Sequence, residues 1–481
     1  MTTRRTFLKA TALGGSALLL GGTGRALAQM GGGGATASPY VTPFQRPLPI
    51  PAVLTPTSTD LYVDRYDIRM QAADMEIIPG THTRIWGYAG QFPGPTIEAR
   101  RGRKVVVRWV NGLPENMVVH LHGGHTRPEF DGHPTDYIAP GTAKRYEYTN
   151  RQLPSTLWYH DHTMDLTAPH VFKGLAGFYL VRDDFEDALP LPKGPNEICL
   201  CIQDRRFNAD GSLNYSLSGM MDRTFVGDTL LVNGAVQPYL SVGTRKMRFR
   251  ILNGSNARFY QLALSSGRSF IQIGTDGALL PRPVSRTSMR LAPGERVDVI
   301  IDFSSYTVGT KVLLQNTAGS GRTASIMRFD VTKSVSDDST VPTTLRPFAA
   351  IDPASATVAR VFTLSMGMAG QWFINGRAFD PNRIDASPRI GTTELWTFRN
   401  TSSMAHPMHL HALHFQVLDV NGVLPGPTAG YAGWKDTVVV PASGTVRVLA
   451  RFAGSPGVYV QHCHILEHED RGMMSQFEVT A

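Results

Sequence analysis

The chain has 481 residues, of which 42% are hydrophobic and 18% charged, and it contains 47 glycines and 32 prolines. This composition excludes a disordered or coiled-coil protein and is typical of a globular chain with many turns. At roughly 150 residues per domain, the length predicts about three domains. Three cysteines are too few for a disulfide scaffold.

Residues 1–28 predict an export signal that is removed from the mature protein. Arg4 and Arg5 precede a short apolar stretch, and the segment from Ala26 to Ala28 is a small-residue cleavage site. The paired arginines indicate the twin-arginine route, so we expect a periplasmic or secreted protein. An uncleaved amphipathic N-terminus is the alternative. Without the leader, 43 basic and 39 acidic residues remain, a balance that argues against nucleic-acid binding.

Short β-type segments separated by glycine- and proline-rich turns follow the leader. The stretch 246–252 alternates polar and apolar residues, as a half-buried strand does. Many such strands predict an all-β protein built from antiparallel sandwiches or barrels. The turn-rich stretches predict these boundaries: a flexible or strap segment over 29–58, domain 1 over 59–188, domain 2 over 189–332, a linker over 333–353 and domain 3 over 354–481.

The histidines lie in two groups, and the chain between His170 and His406 contains none. Residues i and i+2 of a strand share one face, so each His-x-His pair presents two imidazoles together. Imidazole is a preferred ligand of copper, zinc, iron and nickel. A single pair is common in ordinary strands, whereas four pairs in a repeated arrangement predict a metal centre. The pairs are His120/His122 and His160/His162 near one end, and His409/His411 and His462/His464 near the other.

Cys463 indicates a second kind of metal site. It lies between the two histidines of the last pair, so its side chain faces away from theirs. With His406, His468 and Met473, it completes the two imidazoles, one thiolate and weak axial thioether of a blue-copper electron-transfer site. A catalytic-cysteine hydrolase and a pair of closed zinc sites are the alternatives. The first needs no surrounding histidines, and the second leaves ligands unused.

Four stretches together resemble the copper motifs of the multicopper oxidases: His120-Leu-His-Gly-Gly, Trp158-Tyr-His-Asp-His, His406-Pro-Met-His-Leu-His and His462-Cys-His-Ile-Leu-Glu-His-Glu-Asp-Arg-Gly-Met-Met. The likeness is greatest to three-domain bacterial laccases, and the copper-efflux oxidases are similar as well. It covers nearly the whole mature chain. Four further stretches support it: Phe92-Pro-Gly-Pro-Thr-Ile, Gly227-Asp-Thr-Leu-Leu-Val-Asn-Gly, Leu291-Ala-Pro-Gly-Glu-Arg-Val-Asp and Gly433-Trp-Lys-Asp.

The resemblance implies three consecutive cupredoxin-like Greek-key domains and four copper ions. The type 1 copper would be held by His406, Cys463, His468 and, axially, Met473. The type 2 copper would be held by His120 and His409. The type 3 pair would be held by His122, His160, His162, His411, His462 and His464. The remaining histidines match no ligand position: His82, His125, His133, His170 and His414.

The resemblance also implies a laccase-like oxidase that couples one-electron oxidation of phenols and aromatic amines to four-electron reduction of O2 to water. Cys463 would pass electrons to the histidines beside it. The donor would dock where His406 or His468 reaches the surface. Asp131 and Glu469 match acidic positions that supply protons in related oxidases, and a surface carboxylate or a salt bridge is the alternative for each.

A cuprous oxidase in periplasmic copper tolerance is the alternative function. Such oxidases often carry a long methionine-rich insert, whereas this chain has only scattered methionines, among them Met366 and Met368. Copper-free structural relatives lack the ligands present here, and a copper-storage protein does not need Cys463. The expected partners are O2 and small aromatic donors, with Cu(I) as the alternative donor. We expect no binding of nucleic acid and no segment that spans a membrane. We also expect a monomer. A disulfide between Cys199 and Cys201 would be strained, so we expect buried thiols.

Overall fold

The computed structural model describes residues 37–217, 223–426 and 429–481, so the leader predicted over 1–28 lies outside the described residues. The described chain is mostly β-strand, and its sheets form three successive pairs along the sequence. Among the described helices, none has the length and apolar character needed to cross a membrane. Short 3-10 helices span Pro128–Phe130, Gly194–Asn196, Phe303–Ser305, Gly321–Thr323, Pro353–Ser355 and Met368–Gly370.

The first pair of sheets encloses a core of buried aliphatic and aromatic side chains. Its strands are β1 (Ser58–Thr59), β2 (Val63–Met75), β3 (Thr83–Tyr88), β4 (Gly94–Arg100), β5 (Lys104–Asn111), β6 (Val119–His122), β7 (Ala143–Tyr148), β8 (Ser155–Asp161) and β9 (Ala176–Arg182). The helices are α1 (Thr167–Lys173) and α2 (Asp184–Ala188). One sheet has the order β1-β2-β5-β7 with β3 on β2, and the other has the order β4-β9-β8-β6.

The second pair of sheets has its own core. Its strands are β10 (Glu197–Arg205), β11 (Thr229–Val232), β12 (Ala235–Val236), β13 (Tyr239–Gly243), β14 (Lys246–Asn253), β15 (Tyr260–Leu264), β16 (Phe270–Gly274), β17 (Leu279–Arg286), β18 (Ser288–Leu291), β19 (Arg296–Asp302), β20 (Lys311–Asn316) and β21 (Ser325–Lys333). The sheets have the orders β12-β11-β10-β14-β19-β16-β17 and β13-β21-β20-β15-β18.

The third pair of sheets repeats the plan of the first. Its strands are β22 (Ala356–Met366), β23 (Trp372–Ile374), β24 (Thr393–Asn400), β25 (His406–Leu410), β26 (Phe415–Val420), β27 (Trp434–Lys435), β28 (Thr437–Val440), β29 (Thr445–Arg451), β30 (Gly457–Cys463) and β31 (Met474–Val479), with helix α3 (Leu466–Glu469). The orders are β23-β22-β24-β29-β26-β27 and β28-β25-β30-β31. The first histidine of each His-x-His pair lies on a strand of the smaller sheet, namely β6, β8, β25 or β30.

The predicted all-β class is confirmed, but the sheets are mixed rather than purely antiparallel. Parallel pairs occur at corresponding places in all three sheet pairs, as β2 with β5, β10 with β14, and β22 with β24. The polar–apolar alternation that predicts a strand has the same period for both directions of pairing. It therefore carries no information about the direction of the neighbouring strand. The three sheet pairs agree with the three consecutive cupredoxin-like domains that the resemblance implies.

The expectation that 246–252 forms a half-buried strand is wrong, because both faces of β14 are buried. Arg248 and Arg250 lie on its polar face and donate hydrogen bonds to Glu186 at 2.8 and 2.6 Å. Burial by itself would raise the pKa of Glu186, but the two guanidinium groups lower it to about 2. Buried charges are tolerated only when they are paired. Because Arg248 and Arg250 pair with Glu186 of α2, the charged face of β14 can lie inside the protein.

Residues 37–58, which turn once at Pro43 and Phe44, run along the first and second sheet pairs. The backbone N–H of Leu48 donates to the carbonyl of Tyr239 at 2.7 Å, and that of Leu54 donates to Thr96 at 2.8 Å. Leu48 is buried in the core of the second sheet pair. This segment therefore links the two sheet pairs through ladder-type hydrogen bonds on both.

Candidate metal centre

The eight histidines of the four His-x-His pairs converge in one buried cluster. The strand register places His120 opposite His160 and His409 opposite His462. All eight side chains are buried, with between 0 and 1% of their surface exposed. The alternation of the strands turns the intervening residues, such as Leu121 and Cys463, into the hydrophobic cores on the other face.

The ring nitrogens inside this cluster lie close enough to share metal ions. The Nε2 atoms of His120 and His409 are 3.4 Å apart. The Nε2 atom of His462 lies 3.2 Å from that of His162 and 3.3 Å from that of His411. The remaining close pair joins Nε2 of His464 to Nδ1 of His122 at 3.2 Å. Groups able to hold a metal include His162/His411/His462, His120/His122/His160 and His120/His409/His411.

Asp131 contacts the Nδ1 atoms of two of these imidazoles, while their Nε2 atoms face the cluster. Its carboxylate Oδ2 lies 2.7 Å from Nδ1 of His411, and its backbone carbonyl lies 2.6 Å from Nδ1 of His120. Thr126 donates to the other carboxylate oxygen at 2.7 Å. Asp131 is only 2% exposed, which excludes the surface-carboxylate alternative, and burial raises its pKa to about 7.

Glu469 contacts two other imidazoles of the same cluster. Its Oε2 is 3.0 Å from Nδ1 of His462, and its Oε1 is 3.5 Å from Nδ1 of His162. Glu469 ends helix α3 and is 2% exposed, so it too is no surface carboxylate. Both acidic residues predicted from the sequence therefore contact imidazoles of the cluster.

Asp436 and Thr437 also contact the cluster, although the sequence analysis gave them no role. Nε2 of His122 lies 3.0 Å from Asp436 Oδ1 and 3.1 Å from the Thr437 hydroxyl. Nδ1 of His409 lies 2.9 Å from the backbone carbonyl of Asp436. The only sign of Asp436 in the sequence is the stretch Gly433-Trp-Lys-Asp, which supports the family resemblance. Residue spacing does not connect position 436 with a histidine 314 positions earlier.

The cluster suits a metal by its electrostatics as well as its geometry. Burial lowers the pKa of every one of these histidines whose shift is resolved, to about 3 for His160 and about 4 for His162. These seven imidazoles are therefore neutral at pH 7, and a neutral ring offers a lone pair to a metal. Nε2 of His160 is buried with no hydrogen-bond partner, which is costly unless a ligand occupies that position. This donor set of neutral imidazoles fits copper.

A second group lies on the other face of β30. The Sγ atom of Cys463 is 3.5 Å from Nδ1 of His406 and 3.7 Å from Nδ1 of His468, and these two nitrogens are 3.3 Å apart. Met473 is fully buried in the same core, and its backbone carbonyl accepts from the N–H of Cys463 at 3.0 Å. Burial raises the pKa of the Cys463 thiol, and a bound metal would deprotonate it outright. One thiolate and two neutral imidazoles suit copper.

The expectation that His406 or His468 reaches the surface is wrong, because both rings are 0% exposed. Trp372 stacks on His468 with ring centroids 4.0 Å apart and meets His406 edge-on at 5.0 Å. The hydroxyl of Ser402 lies 2.8 Å from Nε2 of His406, the ring nitrogen that faces away from Cys463. Trp372 belongs to β23, almost a hundred residues before His468 in the chain, so local sequence gave no sign of this cover.

The histidines without a ligand role have other surroundings. His170 joins Asp161 and Glu115 at 2.8 and 3.0 Å, and His133 meets Gln476 at 3.0 Å. His125 and His414 pack edge-to-face, with ring centroids 4.6 Å apart, while His82 is exposed. The cysteines Cys199 and Cys201 are free thiols, the first partly and the second fully buried.

Comparisons with known proteins agree with this geometry. Models of the multicopper oxidase family match residues 69–186 and 353–481, the two regions that carry the histidines. A laccase of Bacillus stratosphericus is 38% identical over 91% of this chain and 99% of its own length. The crystal structure of a laccase from Pediococcus acidilactici has a TM-score of 0.85 at 33% identity, covering 93% of this chain and 95% of that one. The laccase-like multi-copper oxidase CueO of Ochrobactrum sp., described with oxidase activity towards lignin model compounds, has a TM-score of 0.80 at 30% identity, covering 90% of this chain and 100% of that one.

Proposed function

The chain belongs to the multicopper oxidase family and is a laccase-like oxidase, and from this premise we propose its reaction and the residues that perform it. The reaction is the one-electron oxidation of phenols and aromatic amines, coupled to the four-electron reduction of O2 to two waters. The observation that carries the proposal is the convergence of eight buried imidazoles in one cluster, with the Cys463 group on the other face of the same strand. Copper ions bound in these sites would supply the one-electron chemistry and the binding of O2.

We assign the metal ligands as the sequence predicted them. One copper would be held by the Cys463 group, defined as His406, Cys463, His468 and Met473. Three would be held by the eight-histidine cluster, with His120 and His409 for one ion. The other pair would be held by His122, His160, His162, His411, His462 and His464. The close nitrogen–nitrogen distances within each set support this assignment.

The covalent chain around Cys463 is the proposed electron path. Its side chain belongs to one site, and the flanking residues His462 and His464 belong to the other. Electrons taken from the donor at the Cys463 group would therefore cross to the cluster through a few bonds of one strand. Trp372 covers His468, so the donor would deliver its electron across the layer that this ring forms.

Asp131 and Glu469 are the proposed proton donors for water formation. Each is buried and contacts two cluster imidazoles, Asp131 through one carboxylate oxygen and its backbone carbonyl, and Glu469 through its two carboxylate oxygens. A general acid acts only when it lies within hydrogen-bond reach of the reacting group, directly or through one water. These contacts with the proposed copper ligands support the role in proton supply.

The exposed methionines favour Cu(I) as a second candidate donor. Met368 is 88% exposed and Met366 37% exposed, and Met366 pairs with Trp372 in the strand that covers the Cys463 group. Thioether sulfur is a soft ligand that selects Cu(I). Met366 and Met368 thus lie on the stretch of chain that leads into Trp372, the ring that covers His468.

Turnover of three donors by one purified, copper-loaded sample separates the two functions. The donors are a phenol, a bulky non-phenolic compound and Cu(I), with O2 consumption measured for each. The proposal expects oxidation of the phenol without added copper, and one O2 consumed for every four electrons. Phenol oxidation that appears only with excess Cu(II), together with direct oxidation of Cu(I), would assign the chain to copper tolerance.

We further propose export by the twin-arginine route to the periplasm or medium, with the pair Arg4 and Arg5 as its support. Replacement of both arginines by lysine should leave the protein in the cytoplasm, as fractionation would show.

We also propose that the protein is a monomer with domains over 59–188, 189–332 and 354–481. Size-exclusion chromatography with light scattering tests the monomeric state.

A further inference from the structure

The middle pair of sheets contains no histidine, yet one of its arginines reaches the copper-ligand cluster. Arg296 begins β19 and is buried, with 1% of its surface exposed. Its Nε donates to the backbone carbonyl of Thr156 at 2.8 Å, on a strand of the first sheet pair. Its Nη1 and Nη2 donate to the two carboxylate oxygens of Asp436 at 2.7 and 2.5 Å, in the third sheet pair. A single side chain thus joins all three sheet pairs.

Asp436 in turn determines how His122 presents its ring. The carboxylate accepts two parallel bonds from Arg296, so towards its other neighbours it acts as an acceptor. Nε2 of His122 lies 3.0 Å from Oδ1, which requires the ring proton on Nε2. The lone pair is then on Nδ1, the nitrogen that lies 3.2 Å from Nε2 of His464. The other close contacts in the cluster join Nε2 atoms, so His122 would present the other ring nitrogen to a metal.

Two glycines leave space for the side chains at this contact, where any Cβ atom would collide with them. Gly123 has a φ of +83°, and a Cβ there would lie 2.6 Å from Asp436 Oδ2 and 2.8 Å from Arg296 Nη2. Gly294 has a φ of +80°, and a Cβ there would lie 2.7 Å from Cγ of His464. The carbonyl of Gly294 also accepts from Nη1 of Arg296 at 3.0 Å. The turn before β19 therefore packs directly on a cluster imidazole.

We propose that Arg296 is a positioning residue for the copper cluster: through Asp436 it fixes the orientation of His122 and the ring nitrogen that faces the metal. The inference rests on the proposed function, because it takes His122 as a copper ligand. It gives the histidine-free middle domain a part in the site. Hydrogen-bond partners of metal-bound histidines commonly orient the ring and raise its basicity, and their loss costs about 10- to 100-fold in metal affinity or activity.

Arg250 offers a matched control. It is also a buried arginine of the middle sheets, with 1% of its surface exposed, and it also reaches Thr156, whose hydroxyl accepts from its Nη1 at 2.9 Å. Its remaining hydrogen bonds join Glu186 and Glu197, and none of its described contacts is with a cluster histidine. Arg250→Lys and Arg296→Lys remove the same forked guanidinium and keep the charge, at the same interface.

The experiment measures copper retention by the full-length protein against a series of chelator concentrations, with the blue absorption and the EPR spectrum recorded at each step. For Arg296→Lys we expect the cluster copper to be released at about 10- to 100-fold lower chelator concentration, in line with the cost of losing such a partner. The copper of the Cys463 group should keep its wild-type affinity and colour. Loss of one ion of a coupled pair should produce a new signal of isolated Cu(II). Arg250→Lys should match the wild type in all of these.

Thr437→Val keeps the inference testable if Arg296→Lys fails to fold. The Thr437 hydroxyl donates to Asp436 Oδ1 at 2.8 Å and lies 3.1 Å from Nε2 of His122. The valine side chain has the same shape, so we expect a smaller loss of cluster copper in the same direction. The inference is overturned if Arg296→Lys and Arg250→Lys release copper equally. If Arg296→Lys cannot be made, it is overturned when Thr437→Val releases copper as the wild type does. A wild-type protein without copper in the eight-histidine cluster overturns the proposed function with it.

Discussion

The two candidate copper sites lie on opposite faces of β30 but differ in how their imidazoles are held. In the eight-histidine cluster, carboxylates contact the outer ring nitrogens: Asp131 contacts His411, Glu469 contacts His462, and Asp436 contacts His122. In the Cys463 group, the two imidazoles contact Cys463 and each other, and around them lie a serine hydroxyl on His406 and an indole ring on both.

This difference matches the chemistry proposed for each site. Reduction of O2 to water consumes protons, and carboxyl groups within hydrogen-bond reach of the reacting atoms can supply them. Electron uptake from a donor needs no proton at the receiving site, and an apolar surround with a soft thiolate suits it. In the proposed mechanism, the proton-coupled step and the electron-only step are therefore separated by the thickness of one strand.

The largest expected effect is that of Cys463→Ser. The change removes the only thiol in the Cys463 group, so the blue colour and all donor oxidation should be lost. The eight-histidine cluster should keep its copper, because the side chain of residue 463 faces away from it. Visible absorption and copper per chain check both statements. A blue, active variant would contradict the assignment of this group.

Glu469→Gln should slow the reaction with O2 and leave electron uptake intact. The amide keeps the size of the side chain but cannot exchange a proton. Reoxidation of the fully reduced enzyme should fall by roughly 10²-fold, the usual scale for a positioned acid or base. Stopped-flow reoxidation measures this rate, and the reduction of the Cys463 group by donor should be unchanged.

Glu467→Gln is the control for that experiment. Glu467 is buried on the same helix, but its carboxylate accepts hydrogen bonds from Tyr215 and Asn256, both at 2.8 Å. Its reoxidation rate should equal that of the wild type. Slower donor reduction with normal reoxidation in Glu469→Gln would move Glu469 to the donor side and leave Asp131 as the proton source.

Met473→Leu should change the potential of the Cys463 group without removing its copper. A weak axial thioether favours Cu(II), so its loss raises the reduction potential. We expect a rise on the order of 59 mV, which is a tenfold change in relative affinity for a one-electron couple. Redox titration of the blue absorption measures it. Loss of the copper would instead show that Met473 is needed to hold the ion.

Ser402→Ala should have the smallest effect. The change leaves Nε2 of the buried His406 ring without its partner at 2.8 Å, which costs about 1–3 kcal/mol. The midpoint of thermal unfolding should fall, while reoxidation by O2 stays at the wild-type rate. An unchanged midpoint would show that water replaces the serine, so that the ring is less enclosed than its contacts indicate.

The sequence predicted the cluster because its ligands come in local pairs. The two-residue period of a strand puts His409 and His411 on one face and turns Cys463 away from its neighbours, and both follow from adjacent residues alone. The repeat of the pattern at the two ends then indicated a shared site. The family resemblance extended this to the assignment of individual ligands.

What the sequence did not predict depends on contacts between distant residues. The cover of Trp372 over His468 and the contact of Asp436 with His122 join strands far apart in the chain. The burial of the polar face of β14 follows from pairing with α2, which no local pattern shows. Strand direction was likewise undetermined, because alternation is the same in parallel and antiparallel sheets.

The most direct test of the account is the position of copper in crystals of the loaded protein, measured by anomalous diffraction at the copper absorption edge. The account predicts four ions per chain. One should lie among His406, Cys463 and His468, and three within the eight-histidine cluster. An empty Cys463 group, or a single ion in the cluster, would contradict the proposed division between an electron-accepting site and an O2-reducing site.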